Sequence, residues 1–189
     1  MLDSTVSPSM PPDVIELKDK FITSTAKNQL QILPQIVAAG IPGIEVLMEW
    51  LDRQRTETPT IVTGTVYQSL YHSEFPVARE YLDREFPTGI LPLQSSMGVD
   101  YTTLQTLLAR QEFQAADKLT TEKLCELAGA DAVQRKWIYF TEVEQLPQID
   151  LHTIDNLWTL HSEGKFGFSI QREMWLGMGK NWDKLWVKI

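Results

Sequence analysis

The chain has 189 residues, 43% of them hydrophobic, a net charge of −8 and a single cysteine. That balance excludes a disordered chain, a disulfide scaffold and a nucleic-acid binder that works by neutralising phosphates. No apolar run approaches the roughly 18 to 20 residues that a membrane span needs.

The first twelve residues, MLDSTVSPSMPP, lack the basic start and apolar stretch of a secretory signal. They are expected to form a flexible lead, and the lone Cys125 fits a reducing, cytoplasmic setting. Short helices follow. Val14, Leu17 and Phe21 recur at helical spacing after Asp13, which can serve as N-cap. Leu30, Leu33 and Val37 form the next stripe and stop at Gly40, where a left-handed C-cap fits. Ile44, Leu47, Met48 and Leu51 give a third. In the segment TPT, Thr58 is placed as N-cap and Pro59 as the first residue of a helix through Val62, Val66 and Leu70. A fifth carries Val77, Ala78, Tyr81 and Leu82 and ends before Pro87. Short helices joined by short turns predict an antiparallel bundle or helical-repeat array over residues 13–85, with no period strong enough to name a repeat. This part holds no catalytic constellation and is expected to give support or contact a partner.

The segment FPTGILPLQSSMG, Phe86 to Gly98, reads as a linker whose apolar residues pack onto something. Asp100 can cap a helix carrying Leu104, Leu107 and Leu108. A second helix carries Phe113 and Ala116, and a third holds Leu124 and Leu127 before Gly129. Trp137 to Val143 fits helix or strand. Further helices are expected over His152–Leu160, Ile170–Leu176 and Asn181–Lys188, with a loop GKFGF from Gly164 to Phe168. Half of the aromatic residues, including five of the six tryptophans, lie beyond residue 129. That exceeds the usual need of so small a core, so some are expected to line a site for a large flat ligand. Charge agrees. Residues 1–129 carry a net −7 and residues 130–189 only −1, so an anion is repelled less by the second part, which holds Arg135, Lys136, Lys165, Arg172 and Lys180.

Other chemistries fail on spacing. GMGKN, Gly177 to Asn181, lacks the glycine spacing and the Ser/Thr of a P-loop, and GKFGFS lacks the dinucleotide fingerprint. His152 and His161, nine apart, do not share adjacent helical turns as metal ligands. Cys125 lies on the apolar stripe of LCELAG and reads as a core thiol. Glu142 and Glu144 could act as paired carboxylates, but no partner acid or base accompanies them.

FPTGILPLQS, KLCELAG, WIYFTEVE, DLHTIDNLW, KFGFS and KLW occur in an order that resembles the genomes uncoupled four family, porphyrin-binding activators of magnesium chelatase in oxygenic phototrophs. The resemblance runs from about Phe86 to Ile189. The helical first part is similar, less densely, to the N-terminal bundle of cyanobacterial members, and the lack of a transit peptide fits that type. Family members continue past KLWVKI with a segment rich in Trp, Arg and Gly that completes the porphyrin cup. This sequence stops at Ile189, so the cup is expected to be C-terminally incomplete.

The resemblance implies an all-α protein: an N-terminal antiparallel helical bundle, residues 13–85, then a helical porphyrin-binding core domain, residues 86–189. It implies a non-catalytic regulator without intrinsic cofactor or metal, binding protoporphyrin IX or Mg-protoporphyrin IX on a concave apolar surface. Its implied partner is the large subunit of magnesium chelatase, met in the cytoplasm or peripherally at photosynthetic membranes. A porphyrin offers two apolar faces and two propionates, which call for aromatic walls and a cationic rim. On that ground Arg135 is the expected propionate contact, with Lys136 in reserve. Gly129 to Val133 would form an apolar loop at one lip, and Trp137, Phe140, Phe166, Phe168 and Trp175 the wall. Trp137 and Trp175 suit the core equally well. Axial ligation by His152 or His161 is disfavoured, because magnesium prefers oxygen. The alternative reading is a helical protein–protein adaptor whose aromatics form only its core.

Overall fold

The computed structural model describes residues 10–181, 183, 184 and 187. Residues 1–9 of the lead expected over residues 1–12, and Trp182, Leu185, Trp186 and Lys188 of the expected last helix, lie outside the described residues. Among the described residues every regular element is helical. None of these helices is long and apolar enough to cross a membrane.

Helix α1 (Pro12–Thr23) begins two residues earlier than the Asp13 cap predicts. Pro11 holds the cap position and Pro12 the first turn, its φ already suited to a helix, so Asp13 stands inside that turn. α2 (Ala26–Ala38) buries Ile32, Leu33 and Ile36. Gly40 then adopts a φ of 72°, which turns the chain directly into α3 (Ile41–Arg53). α4 (Ile61–Tyr71) is capped by Thr60 and not by Thr58. The Thr60 hydroxyl accepts the Thr63 N–H at 3.3 Å while Thr63 Oγ1 accepts the Thr60 N–H at 3.1 Å. Thr58 cannot close such a reciprocal pair, because the residue three beyond it is the apolar Ile61. α5 (Pro76–Glu85) is fastened to α3 by Tyr81, whose hydroxyl donates to the Met48 carbonyl and to Asp52.

Residues 86–101 are non-helical but pinned. Ser96 donates its N–H and hydroxyl to Asp150 at 3.0 and 2.9 Å, and Tyr101 donates its hydroxyl to the same carboxylate at 2.7 Å. α6 (Thr102–Ala109) has Tyr101 in its cap position. Asp100, the expected cap, instead accepts the Thr102 N–H at 2.8 Å from one residue further out. α7 (Phe113–Ala128) is one helix where two were expected. No Gly or Pro interrupts it, and the Thr120 and Thr121 hydroxyls bond back to the carbonyls of Ala116 and Asp117 without breaking the ladder. After it come α8 (Ala130–Arg135), the single turn α9 (Phe140–Val143), α10 (Gln148–His161) and α11 (Phe168–Gly177). The expected loop over Gly129–Val133 is therefore mostly helix, and Trp137–Val143 is an irregular stretch running into one helical turn. α10 starts before His152, at Gln148, because Pro147 follows the turn after α9 and serves as its cap residue.

Two apolar cores result. Phe21, Ile36, Ile44, Leu47, Leu51, Val66 and Leu70 centre the first, and Tyr101, Leu104, Leu108, Ile154 and Leu157 the second. They meet where α4 packs along α10. α4 is buried on most of its circumference, as suits a helix whose apolar residues do not keep to one face. Gly64 lets the two helices touch: a Cβ there would lie 2.3 Å from the Leu160 carbonyl oxygen. Beside it Gln68 donates to the Ala109 carbonyl at 2.9 Å, and His72 Nε2 lies 3.0 Å from the same oxygen. These contacts satisfy carbonyls left open at the end of α6. Gln68 Oε1, left as acceptor, accepts a hydrogen bond from His161 Nδ1–H at 3.1 Å.

Candidate functional site

Building from the backbone, Gly129 with φ 110° lets α7 turn at once into α8, which ends at Lys136 in the left-handed region at φ 65°. That turn throws Arg135 against the chain that follows. Its Nη2 lies 2.7 and 2.8 Å from the two Glu142 oxygens, and its guanidinium stacks over Trp137 and Tyr139 at 5.3 and 4.6 Å. The Trp137 and Tyr139 rings meet at 4.3 Å. Glu142 also accepts the Tyr139 N–H at 2.7 Å. That bond, and then Arg135, hold its carboxyl below the ordinary glutamate range. Arg135 Nε is buried with no acceptor among the described residues. The expected propionate contact is thus already occupied by an internal carboxylate. Of Glu142 and Glu144, set aside above as paired carboxylates, the first is committed to Arg135 and the second is exposed.

Three hollows open around α7. The first, about 350 Å³, is lined by Phe113, Trp158, Phe166 and Phe168. Phe166 stands edge-on to both Phe113 and Trp158, at 5.5 and 6.0 Å, so it braces that aromatic group. The second, about 480 Å³, is the most apolar. Leu124, Ile138, Val143, Leu146 and Leu151 floor it, with Phe168, His152 and Arg172 at the sides. The third, about 710 Å³, holds Val133 and Lys136, but its remaining wall is α7 with Asp117, Lys118, Glu122 and Glu126. Its charged lining does not match a porphyrin face. Cys125 also reaches it, with burial pushing its thiol pKa up.

The expected site residues therefore divide. Arg135 and Trp137 form one stack, Phe166 and Phe168 share the first hollow, and Val133 and Lys136 belong to the third. Phe140, expected in the wall, is 84% exposed. Trp137 and Trp175 are not fully buried, and Lys180 Nζ lies 5.9 Å above the Trp175 ring. Phe168 is the first residue of α11 and not part of a loop. Its position is fixed from the other side, because Asp155 accepts the Ser169 N–H at 3.0 Å and its hydroxyl at 3.1 Å.

Starting α11 at Phe168 puts Phe168, Arg172 and Trp175 at i, i+4 and i+7, one stripe of the helix. Sequence reasoning noticed Arg172 only as a charge and missed Ile138, Val143, Leu146 and Leu151. The helical spacing from Phe168 was the available signal. None of α11's residues is fully buried, although Phe168, Ile170, Met174, Trp175 and Leu176 are large and apolar. Arg172 makes no ion pair with a described residue. No three His, Cys, Asp or Glu among the described residues converge as metal ligands. His161, buried 3.1 Å from Gln68, lies at the seam between α4 and α10 and lines none of these three hollows. The arrangement can bind an apolar plate with a cationic edge, and among the described residues it gathers no acid, base and nucleophile.

Comparison with known proteins is consistent across the chain. A family described as GUN4-like matches residues 94–189, and one described as an ARM-like repeat domain, GUN4-N terminal, matches residues 5–87. A Ycf53-like protein of Synechocystis sp. is 46% identical over 95% of this chain and 78% of its own length. A ycf53 protein of Porphyra purpurea is 41% identical over 86% of this chain and 70% of its own. A chloroplastic tetrapyrrole-binding protein of Arabidopsis thaliana is 39% identical over 47% of this chain and 34% of its own. Among solved structures, GUN4 from Chlamydomonas reinhardtii aligns with a TM-score of 0.51 at 44% identity, covering 52% of this chain and 70% of that one.

Proposed function

This chain belongs to the GUN4 family, and on that premise we propose that it is a non-catalytic regulator that binds protoporphyrin IX and Mg-protoporphyrin IX and stimulates magnesium chelatase. The observation that carries the reading is α11, whose large apolar side chains all stay unburied beside an open apolar hollow. Such a face offers a plate-like ligand one side to lie on. Phe168 and Trp175 lie about 10 Å apart along the helix axis, a span comparable with a tetrapyrrole ring. Arg172 between them is the rim cation for one propionate. Arg135 serves the second once Glu142 yields. The name of the Arabidopsis relative supports the ligand class.

Residues 86–189 carry the porphyrin in this reading, and the helices over 13–85 contact partners or brace the core. The large chelatase subunit is the partner, met in the cytoplasm or peripherally at photosynthetic membranes. The protein acts by linkage: if the chelatase prefers the loaded form, porphyrin binds more tightly in the complex by the same factor. The direct test is a titration of the 189-residue chain with a soluble dicarboxylate porphyrin, following tryptophan quenching and the Soret band together. Saturable quenching with a shifted Soret band is expected, weakened by Arg172→Ala. Adding the loaded protein to magnesium chelatase should then raise the rate. A rate unchanged across substrate concentrations removes the activator role.

Phe140, 84% exposed, favours a second reading, an adaptor whose aromatic patch meets another protein. Porphyrin would then bind weakly and without saturation, and Phe140→Ser would abolish partner binding while leaving the titration unchanged.

A further inference from the structure

The seam between the first five helices and α6, away from the aromatic face, forms a partly open cavity of about 250 Å³. Tyr67, Leu82 and Phe86 give it an apolar side; Tyr71, Arg79 and Arg110 give it a polar one. Its volume falls below the roughly 300 Å³ at which drug-sized pockets begin, so it suits a small molecule and not a tetrapyrrole.

Charge marks this cavity out. Arg79 of α5 lies 4.9 Å over the Tyr71 ring and pairs with Asp83 at 3.1 Å. Arg110, just past α6, reaches no carboxylate among the described residues nearer than Glu112 at 3.9 Å, the outer limit of an ion pair. Asp83 is the one carboxylate in the wall, so the lining is net positive in a chain of net charge −8. The Tyr71 phenol senses this. Burial raises its pKa, but hydrogen bonding and charge from Arg110 and Arg79 outweigh that and lower it. Gln105 adds an unmet demand. It is only 7% exposed and donates its amide N–H to the Thr88 carbonyl at 2.7 Å, which leaves Oε1 with no donor among the described residues. A buried acceptor without a donor is costly unless something supplies one.

We propose that this seam is a second ligand site, for a small carboxylate or phosphate monoester with a compact apolar body. The anionic head sits on Arg79 and Arg110 beside the Tyr71 hydroxyl, where planar guanidiniums match either oxyanion. The body lies against Phe86 and Leu82, and a hydroxyl or amine on it satisfies Gln105 Oε1. Arg79 comes from the first helices and Arg110 from the second half, so an anion held by both clamps the two parts together and stabilises their packing by linkage.

The test uses the full chain, with benzoate and phenyl phosphate as probes and benzyl alcohol as the neutral control, read by amide NMR shifts and thermal melting. Saturation by at least one anion at millimolar concentration or below is expected, with shifts confined to residues 67–110 and a raised melting temperature. Arg79→Gln or Arg110→Gln should weaken that affinity about tenfold or more, the loss of one charge-assisted hydrogen bond. Arg84→Gln, on the same helix but outside the cavity, should leave it unchanged. Both cavity arginines are more than half exposed, at 54% and 56% of the side chain, and melting without ligand checks that the variants stay folded. The better-bound anion identifies the head group. No saturation by either anion, shifts scattered over the surface, or an affinity that neither substitution moves would each overturn the proposal.

Discussion

Glu142 answers two groups at once, the Tyr139 amide and the Arg135 guanidinium, and the same contact that shapes the turn occupies the cation. A ligand propionate must therefore compete with an internal carboxylate for Arg135. Glu142→Gln keeps the shape and a hydrogen-bond acceptor for Tyr139 but removes the charge. It should tighten binding of a dicarboxylate porphyrin severalfold in a quenching titration and leave a porphyrin diester unaffected. Arg135→Ala should weaken the dicarboxylate more than the diester. If both substitutions move the two ligands equally, Arg135 only fastens the turn to the Trp137–Tyr139 stack, and Arg172 alone carries the rim charge.

Among the elements, α4 joins the first helices to the second half, and its small residue at 64 sets how closely it approaches α10. A Cβ at Gly64 would collide with backbone, the Leu160 carbonyl, and not with the movable end of a side chain. Gly64→Ala gains about 1 kcal/mol of helix propensity. Forcing α4 and α10 apart costs about 1–3 kcal/mol, the usual range for overpacking, and backbone contact puts the cost at the upper end. The substitution should therefore lower the urea midpoint. A midpoint unchanged or raised would mean that α10 shifts freely and that the two cores are only loosely coupled. α11 is the opposite kind of element, since Asp155 fixes its start while its apolar stripe stays uncovered among the described residues. Rigid placement of an unburied apolar face suits binding better than storage of a core.

For the molecule as a whole, the junction polar network makes stability depend on pH. His161 is 2% exposed, and burial depresses its pKa from 6.5 to about 4. The unfolded chain takes up this proton below about pH 6.5 while the folded chain refuses it until near pH 4. Stability is thus fully retained above 6.5 and falls as the pH drops through that window, by about 3 kcal/mol in all. Urea unfolding at pH 7 and pH 4.5 should show this loss, and His161→Gln should flatten it. Because Leu160 and Ala109 of the second half pack into the first core, hydrogen exchange in α3 and α6 should reach a common opening energy in wild type and separate in Gly64→Ala. Helical class, the family and most of the stripes of the first five helices were legible in the sequence, because apolar spacing and ordered motifs are local properties of the chain. The exceptions are Val77, which is exposed, and α2, which buries Ile32 and Ile36 beside Leu33. Caps were misread at Asp13 and Thr58, where neighbouring residues compete for one position by a hydrogen bond or a proline φ. The site was legible in kind, as aromatic residues with nearby cations, but not in membership. Val133 and Lys136 adjoin Arg135 in sequence yet line another hollow, because Val133 and Arg135 stand on opposite sides of α8 and the turn at Lys136 redirects the chain, while Arg172 gains its place only from where α11 begins. The sequence by itself determined which residues are apolar and with what period. Tertiary structure alone decided which helix face stays uncovered and which charges find partners, since burial and ion pairing depend on elements far apart along the chain.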